Sequence, residues 1–406
     1  MNSYIYQNWI IRIIKCYILL MVFFLPQEYT MYTLYLCTII VIGIYLYGKY
    51  LSKHILKVSK RSIILWVGLL AIILFNVNFS EYPTDRMIQN TCQLLIATFL
   101  MENGAIGKKT KVDCFFWLFS FLLFIRILMC YINGKALSFT NFADSNYAAI
   151  IVFLYLTYSI KIRRLIGVII AILFGLITDS RLYIILLVMS LTIGLLDRIL
   201  HNEKRQKIFY AYKKIINILL AFLVASILIS IIWSYEIVGT NTVAYEQGIN
   251  DTSNAIRTNS NLYALQLLTK DINLIWRGYD VEIRDVLGIS SSILEQHTRF
   301  MGYRIVQPHN SFINPLITHG IIYSILYFAI LASTLSKCIN NKNKALWLPY
   351  MCGGIFMHSL FSGFYLIFWG LCLVNYNQDL LLIGEINHEK NTSGYTSKGR
   401  VKRSAK

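Results

Sequence analysis

Charge is scarce in this chain. Of its 406 residues only 14% are charged, 56% are hydrophobic, and mean hydropathy is +0.56. A soluble domain carries roughly 25% charged residues, so the shortage excludes an ordinary water-soluble fold and points to an all-α, polytopic membrane protein. Acidic residues are scarcer still, 20 against 38 Lys and Arg. That excess could suggest a nucleic-acid partner, but a membrane protein collects basic residues on its inner loops, and no nucleic acid is expected. Eight cysteines all lie in or beside apolar segments, and none falls in residues 234–308. A disulfide-stapled outer domain is therefore excluded, as is a Cys-ligated metal in that stretch. No Gly-x-x-x-x-Gly-Lys loop is present, so no ATP hydrolysis is expected. No small-residue cleavage site follows Trp9–Leu25, where Pro26-Gln27-Glu28 comes at once, and this segment reads as a retained first span. No internal repeat is visible.

What the chain does have is long apolar runs. Runs able to cross ~30 Å of hydrocarbon lie at 9–26, 30–48, 62–79, 87–101, 114–131, 146–160, 165–179, 182–196, 215–233, 312–335, 345–361 and 364–383, which predicts about twelve transmembrane helices. Lys and Arg divide 28 to 9 between the two alternating sets of loops and span ends, with Arg126 inside a span. The richer set belongs in the cytoplasm. Both termini then face inward, and residues 234–308, the single long polar interruption, form a large extracytoplasmic loop. Residues 1–386 read as one integral membrane domain and 387–406 as a basic, disordered cytoplasmic tail.

The large loop is patterned. Ile256, Tyr263 and Leu267 fall at helical spacing within 254–270, and Ile283, Val286, Leu287, Ile293 and Leu294 do so within 283–296. Both read as amphipathic helices lying on the membrane surface or capping the bundle, with a turn at Gly278. Arg257, on the first helix, is either a solvated surface arginine or a substrate contact. Arg181 stands at the tip of an apolar hairpin, where it must snorkel to headgroups or face a polar cavity. His309 follows Pro308, and Asn310 or Ser311 can cap the helix of the next span. A His at such a helix start sits beside free backbone N–H groups, a natural place for phosphate and for a neutral imidazole acting as base. His319 and His358 lack charged partners in the sequence and read as helix–helix hydrogen-bonding residues. No His-x-x-His or Glu-flanked pair occurs in the loop, so no zinc site is expected.

Taken in order, Ser180-Arg181 opens a span, Arg257 leads an outer helix, and Arg277-Gly278 follows. His309-Asn310-x-x-x-x-Pro315-Leu316-x-x-x-Gly320 then opens the next span. This succession resembles the O-antigen ligase and polymerase family, membrane glycosyltransferases that assemble bacterial surface polysaccharides. Asn146, in Asp144-Ser145-Asn146-Tyr147-Ala148, resembles an Asn the family carries at the outer start of an earlier span. Arg277-Gly278-Tyr279-Asp280 stands where the family has Gly-x-Gly, and Pro315 is expected to kink the His-Asn helix. The likeness runs from about residue 140 to 325.

The resemblance implies a fold similar to the C-type glycosyltransferases, set in the bacterial plasma membrane, and chemistry without metal or cofactor. The implied donor is a glycan on undecaprenyl diphosphate. Arg181, Arg257 and Arg277 are implied to bind the diphosphate, with Asn146 and Asn310 also contacting substrate, and His309 to take the proton from the attacking sugar hydroxyl. The favoured reading is a polymerase joining lipid-linked repeat units, with a flippase and a chain-length regulator as partners. A ligase would use the same motifs on another acceptor. A flippase is the reading from a different class, but its polar residues should lie at mid-membrane rather than in one outer loop.

Overall fold

In an apolar run each backbone N–H and C=O must bond within its own segment, and every apolar run named above contains helix. The structure, a computed structural model, describes residues 3–26, 29–52, 60–79, 84–103, 113–133, 145–178, 180–200, 210–240, 261, 264–265, 268–269, 271–278, 308–340, 343–357 and 359–374. Among them there are helices and no β-strand. In chain order the helices are α1 (Ser3–Leu19), α2 (Thr30–Ser52), α3 (Lys60–Phe79), α4 (Asp85–Asn103), α5 (Cys114–Ile132), α6 (Ser145–Lys161) and α7 (Leu165–Ile177). Then come α8 (Arg181–Leu200), α9 (Tyr212–Thr240), α10 (Asn314–Thr318), α11 (Ile321–Leu335), α12 (Lys344–Gly353) and α13 (Gly363–Leu373). By length and composition four stretches can cross a membrane, Thr30–Gly48, Arg61–Phe79, Cys114–Ile132 and Tyr212–Ile232. Shorter apolar helices occupy Leu165–Ile177, Arg181–Leu196, Ile321–Leu335 and Gly363–Leu373. The chain is thus an all-α protein built for a lipid environment.

Local chemistry sets the helix ends. One π-turn, Leu20–Phe24, closes α1, with Leu25 N donating to Leu20 O at 2.9 Å, immediately before Pro26, which has no N–H to continue it. Asp113 caps α5 by accepting from Phe115 N at 3.1 Å, the expected task of a carboxylate at that position. Pro349 sits inside α12 and cannot bond to the carbonyl of Ala345 four residues back. Ser190 of α8 donates to that carbonyl at 2.8 Å instead. A neighbouring hydroxyl thus satisfies the group that proline frees.

The centre of the bundle is α4, α6 and α13, joined by α11. Every α6 residue from Ala148 to Leu156 is at most 1% exposed, and α13 is buried from Phe364 to Leu373. Around them α2, α3, α5, α7 and α9 turn large apolar side chains outward, among them Ile39, Ile64, Phe121, Leu165 and Val224. Soluble monomers rarely carry such surface, and lipid suits it.

Polar contacts between helices gather at two opposite ends. One end holds Lys15, Asp113, Tyr158, Lys161, Cys338 and Leu371; the other holds Asn90, Asn146, Ser180, Ser311, His319 and Tyr323. Helices α4, α6, α11 and α13 each begin at the second end and finish at the first. The second amphipathic segment, 283–296, and the tail 387–406 lie outside the described residues. Of the first, 254–270, Asn261, Ala264, Leu265, Leu268 and Thr269 are helical. Ala264, with Leu274 from the same loop, packs on Ile313 and Ile317, and Asn261 Nδ2 donates to Ser230 Oγ of α9 at 3.2 Å. The loop is therefore docked on the bundle at the second end.

Candidate functional site

The apolar run 312–335 is two helices, and the break between them organises the second end. Pro315 does not cause the break. It lies in the first turn of α10, where a missing N–H costs nothing. The chain parts at His319–Gly320 instead, with Gly320 at φ +88, a conformation that favours glycine. The backbone of Arg277-Gly278 lies directly against this break. A Cβ on Gly278 would sit 2.2 Å from His319 N and 2.3 Å from Thr318 O, and one on Gly320 would sit 3.1–3.3 Å from the backbone of Arg277. Two glycines therefore let the loop and the broken span meet main chain to main chain. Asn76 of α3 fixes the approach by donating to Trp276 O at 3.0 Å.

His309 is half-buried and enters through buried Pro308. Asn310, 0% exposed, has its side chain engaged within the fold. Its Oδ1 accepts from Phe312 N at 2.8 Å and from Ile313 N at 3.1 Å, and its Nδ2 donates to Ile355 O at 2.9 Å. This is helix-start capping with an added tie to the segment between α12 and α13. Ser311 extends the tie. Its N donates to Gly354 O at 2.7 Å, its Oγ accepts from Leu360 N at 3.0 Å, and its Oγ donates to Met357 O. The His-Asn-Ser start is thereby held against residues 354–360.

Asn146 and Ser180, both singled out in the sequence, meet in space. Ser180 Oγ donates to Asn146 Oδ1 at 2.8 Å. Ser180 is buried while Arg181, the first residue of α8, is exposed, so the Ser-Arg pair divides its task between the core and the surface. Tyr147 links this pair to the segment after α12, receiving a 3.4 Å hydrogen bond from Ser359 Oγ and stacking on Tyr365 with ring centroids 5.7 Å apart. Asn310 and Ser311 thus bond directly to Gly354, Ile355, Met357 and Leu360, and Tyr147, next to Asn146 in the chain, meets Ser359. Arg257 and His358 lie outside the described residues.

Beneath the helix break is a small cavity lined by Asn90, Ser311, Pro315, His319, Tyr323, Tyr327, Phe361 and Ser362. His319, 2% exposed, forms one side, with its Nε2 2.6 Å from Asn90 Nδ2. Tyr323 OH lies 2.9 Å from Thr91 Oγ1 and donates to Met87 O at 3.1 Å. Sequence reasoning missed Asn90, Thr91 and Tyr323. The available signal was a run of polar residues, Gln89-Asn90-Thr91 and Gln93, in the first half of the span 87–101. Among the described residues no three His, Cys, Asp or Glu side chains gather as a metal site would require.

Comparison with known protein families, curated proteins and solved structures returns no match for this chain.

Proposed function

We propose that this protein is a membrane glycosyltransferase that extends a surface polysaccharide, moving a glycan from undecaprenyl diphosphate to a sugar hydroxyl of a second lipid-linked unit. One observation carries the reading. Asn146, Ser180-Arg181, Arg277 and His309-Asn310 are scattered over more than 160 positions of sequence, yet at one end of the bundle Ser180 bonds to Asn146, Asn310 bonds to Ile355, and the Arg277 backbone lies on the helix break after His309-Asn310. Chemistry that joins two lipid-linked sugars needs such convergence of polar groups at a membrane surface. In the proposed topology about twelve spans place both termini in the cytoplasm and this end, with the loop 234–308, outside.

In this reading the acceptor hydroxyl attacks the anomeric carbon of the donor. The new C–O bond forms as the bond to the diphosphate oxygen breaks. Its electron pair leaves on the diphosphate, and the hydroxyl proton passes to His309. Arg181, Arg257 and Arg277 supply the positive charge that meets the departing diphosphate, bidentately where geometry allows. Asn310 serves by fixing the backbone that presents His309. Asn146 orients Ser180 and, through it, the start of α8.

The test is incubation of the purified protein with synthetic undecaprenyl-diphosphate-linked repeat units, followed by sizing of the glycan. A ladder of multiples supports polymerisation. Transfer to a non-glycan acceptor replaces the polymerase with a ligase, and unchanged starting material rejects glycan transfer.

A further inference from the structure

Within the polar loop 234–308, Ile272-Asn273-Leu274-Ile275-Trp276 is an apolar island. Leu274 turns inward and is fully buried with Ala264, Ile313 and Ile317. Two other large apolar side chains of the island stay out. Ile272 is 78% exposed and Trp276 53%. Trp276 stands beside the end of α3, which is itself apolar and exposed at Leu74, Phe75, Val77 and Phe79. The rings of Phe79, Phe75 and Trp276 form a row, with successive centroids 5.2 Å and 6.5 Å apart. The outward apolar surface of α3 therefore continues onto the loop.

Depth follows from the tie to α3. Arg61–Phe79 is apolar over 19 residues, about 28 Å of helix, close to the ~30 Å of hydrocarbon. Asn76, 1% exposed, donates to Trp276 O at 3.0 Å. The loop backbone thus stands level with a residue about 4.5 Å inside the end of that run. Backbone at such a depth needs its polar groups bonded. Leu274 N donates to Asp271 O, Trp276 N and Arg277 N donate to Asn273 O, and Asn273 N donates to Asp271 Oδ1, all at 2.9–3.3 Å. A Trp ring suits the boundary between headgroups and acyl chains, and Asp271 and exposed Asn273 suit it better than the hydrocarbon interior. We propose that residues 271–277 are an interfacial anchor, with Ile272 and Trp276 inserted among the lipids of the leaflet at the second end. The partner is the bilayer, already the neighbour of the exposed face of α3. The anchor holds Arg277-Gly278 at the membrane surface, against the helix break, and requires no glycan transfer.

The test uses the full-length protein, with its native cysteines replaced, in vesicles of phosphatidylcholine and phosphatidylglycerol. A fluorophore on Ile272→Cys is exposed in turn to lipid with a nitroxide near the headgroup, to lipid with a nitroxide deep in the acyl chain, and to iodide on both sides of the membrane. Leu70→Cys, on the exposed face in the middle of α3, reports deep lipid. The expected result is that the shallow nitroxide quenches the Ile272→Cys probe most, and the deep one the Leu70→Cys probe. Quenching of Ile272→Cys by iodide and by neither lipid puts the turn in water and overturns the anchor. Quenching by none of the three also overturns it, with the rest of the loop or a second copy as the cover. A response like that of Leu70→Cys overturns the interfacial placement. Should the cysteine-free protein fail to fold, brominated lipids decide on the native chain. Tryptophan emission of wild type should then fall further than that of Trp276→Phe, and equal falls overturn the anchor. No glycan substrate is added, so failure here leaves glycan transfer to its own test.

Discussion

The two ends of the bundle are held together by different means. At one end charge does the fastening. Lys15 Nζ lies 3.1 Å from Asp113 Oδ2, Tyr158 donates to the same carboxylate, and Lys15 sits 5.4 Å from the ring centroids of both Phe115 and Tyr158. Lys161 donates to Leu371 O at 3.0 Å, placing its ammonium at the C-terminus of α13, where a helix end attracts positive charge. At the other end the ties are amides, hydroxyls and close main-chain contact, as at Asn310, Ser311, Ser180, Gly278 and Gly320. A saturated ion pair closes a structure. A broken helix beside a small cavity leaves a less tightly closed region. Under the proposed function, stability is chiefly the task of the first end and chemistry that of the second.

If that division holds, His309→Ala should have the largest effect. Turnover should fall about 10²- to 10⁴-fold, the usual cost of losing a general base, while affinity for the lipid-linked donor stays within a few-fold because the arginines remain. The wild-type rate should also drop as pH falls, since only a neutral imidazole accepts a proton. Kinetics and donor binding measured together check both points, and weakened donor binding with a rate sustained at low pH would make His309 a phosphate-positioning cation instead.

Gly278→Ala comes next. Its new methyl would fall within 2.2–2.3 Å of main-chain atoms of Thr318 and His319, so the loop or the helix break must move. A cost of about 1–3 kcal/mol is expected, together with reduced activity in the molecules that still fold. Gly43→Ala is the control. Nothing lies within 4 Å of its added methyl, and alanine favours a helix by about 1 kcal/mol, so thermal unfolding should stay level or improve slightly.

Asp113→Asn probes the opposite end. The pair with Lys15 is about one-sixth exposed, between the surface case, worth little, and the fully buried case, where removing a partner costs most. About 1–3 kcal/mol of stability should be lost. The rate per folded molecule should match wild type, and a large fall in that rate would mean the charged end takes part in the reaction.

The sequence carried the helices well, because a long apolar run has one low-cost backbone solution. The segments 114–131 and 146–160 became Cys114–Ile132 and Ser145–Lys161. The capping role of Asn310 was legible for a similar reason, since an Asn before an apolar run meets free N–H groups a few residues away. The break at His319–Gly320 was not. Pro315 was the conspicuous breaker locally, but its position in the first turn makes it harmless, and the actual break depends on Gly278, some forty residues earlier, packing against it. The partners of Ser311 and Ser180 were hidden likewise. Each hydroxyl bonds to a residue far along the chain, and only tertiary folding brings the two together.

The most direct measurement of the division between the ends asks which side of the membrane each one faces. Thr252→Cys, in the large loop, and Lys342→Cys, in the segment between α11 and α12, should be made on a background without native cysteines and treated with an impermeant maleimide. The account predicts that Thr252→Cys reacts in intact cells and Lys342→Cys only after lysis. The reverse pattern would put the His309 end in the cytoplasm, away from any glycan assembled outside the cell, and would contradict the proposed chemistry.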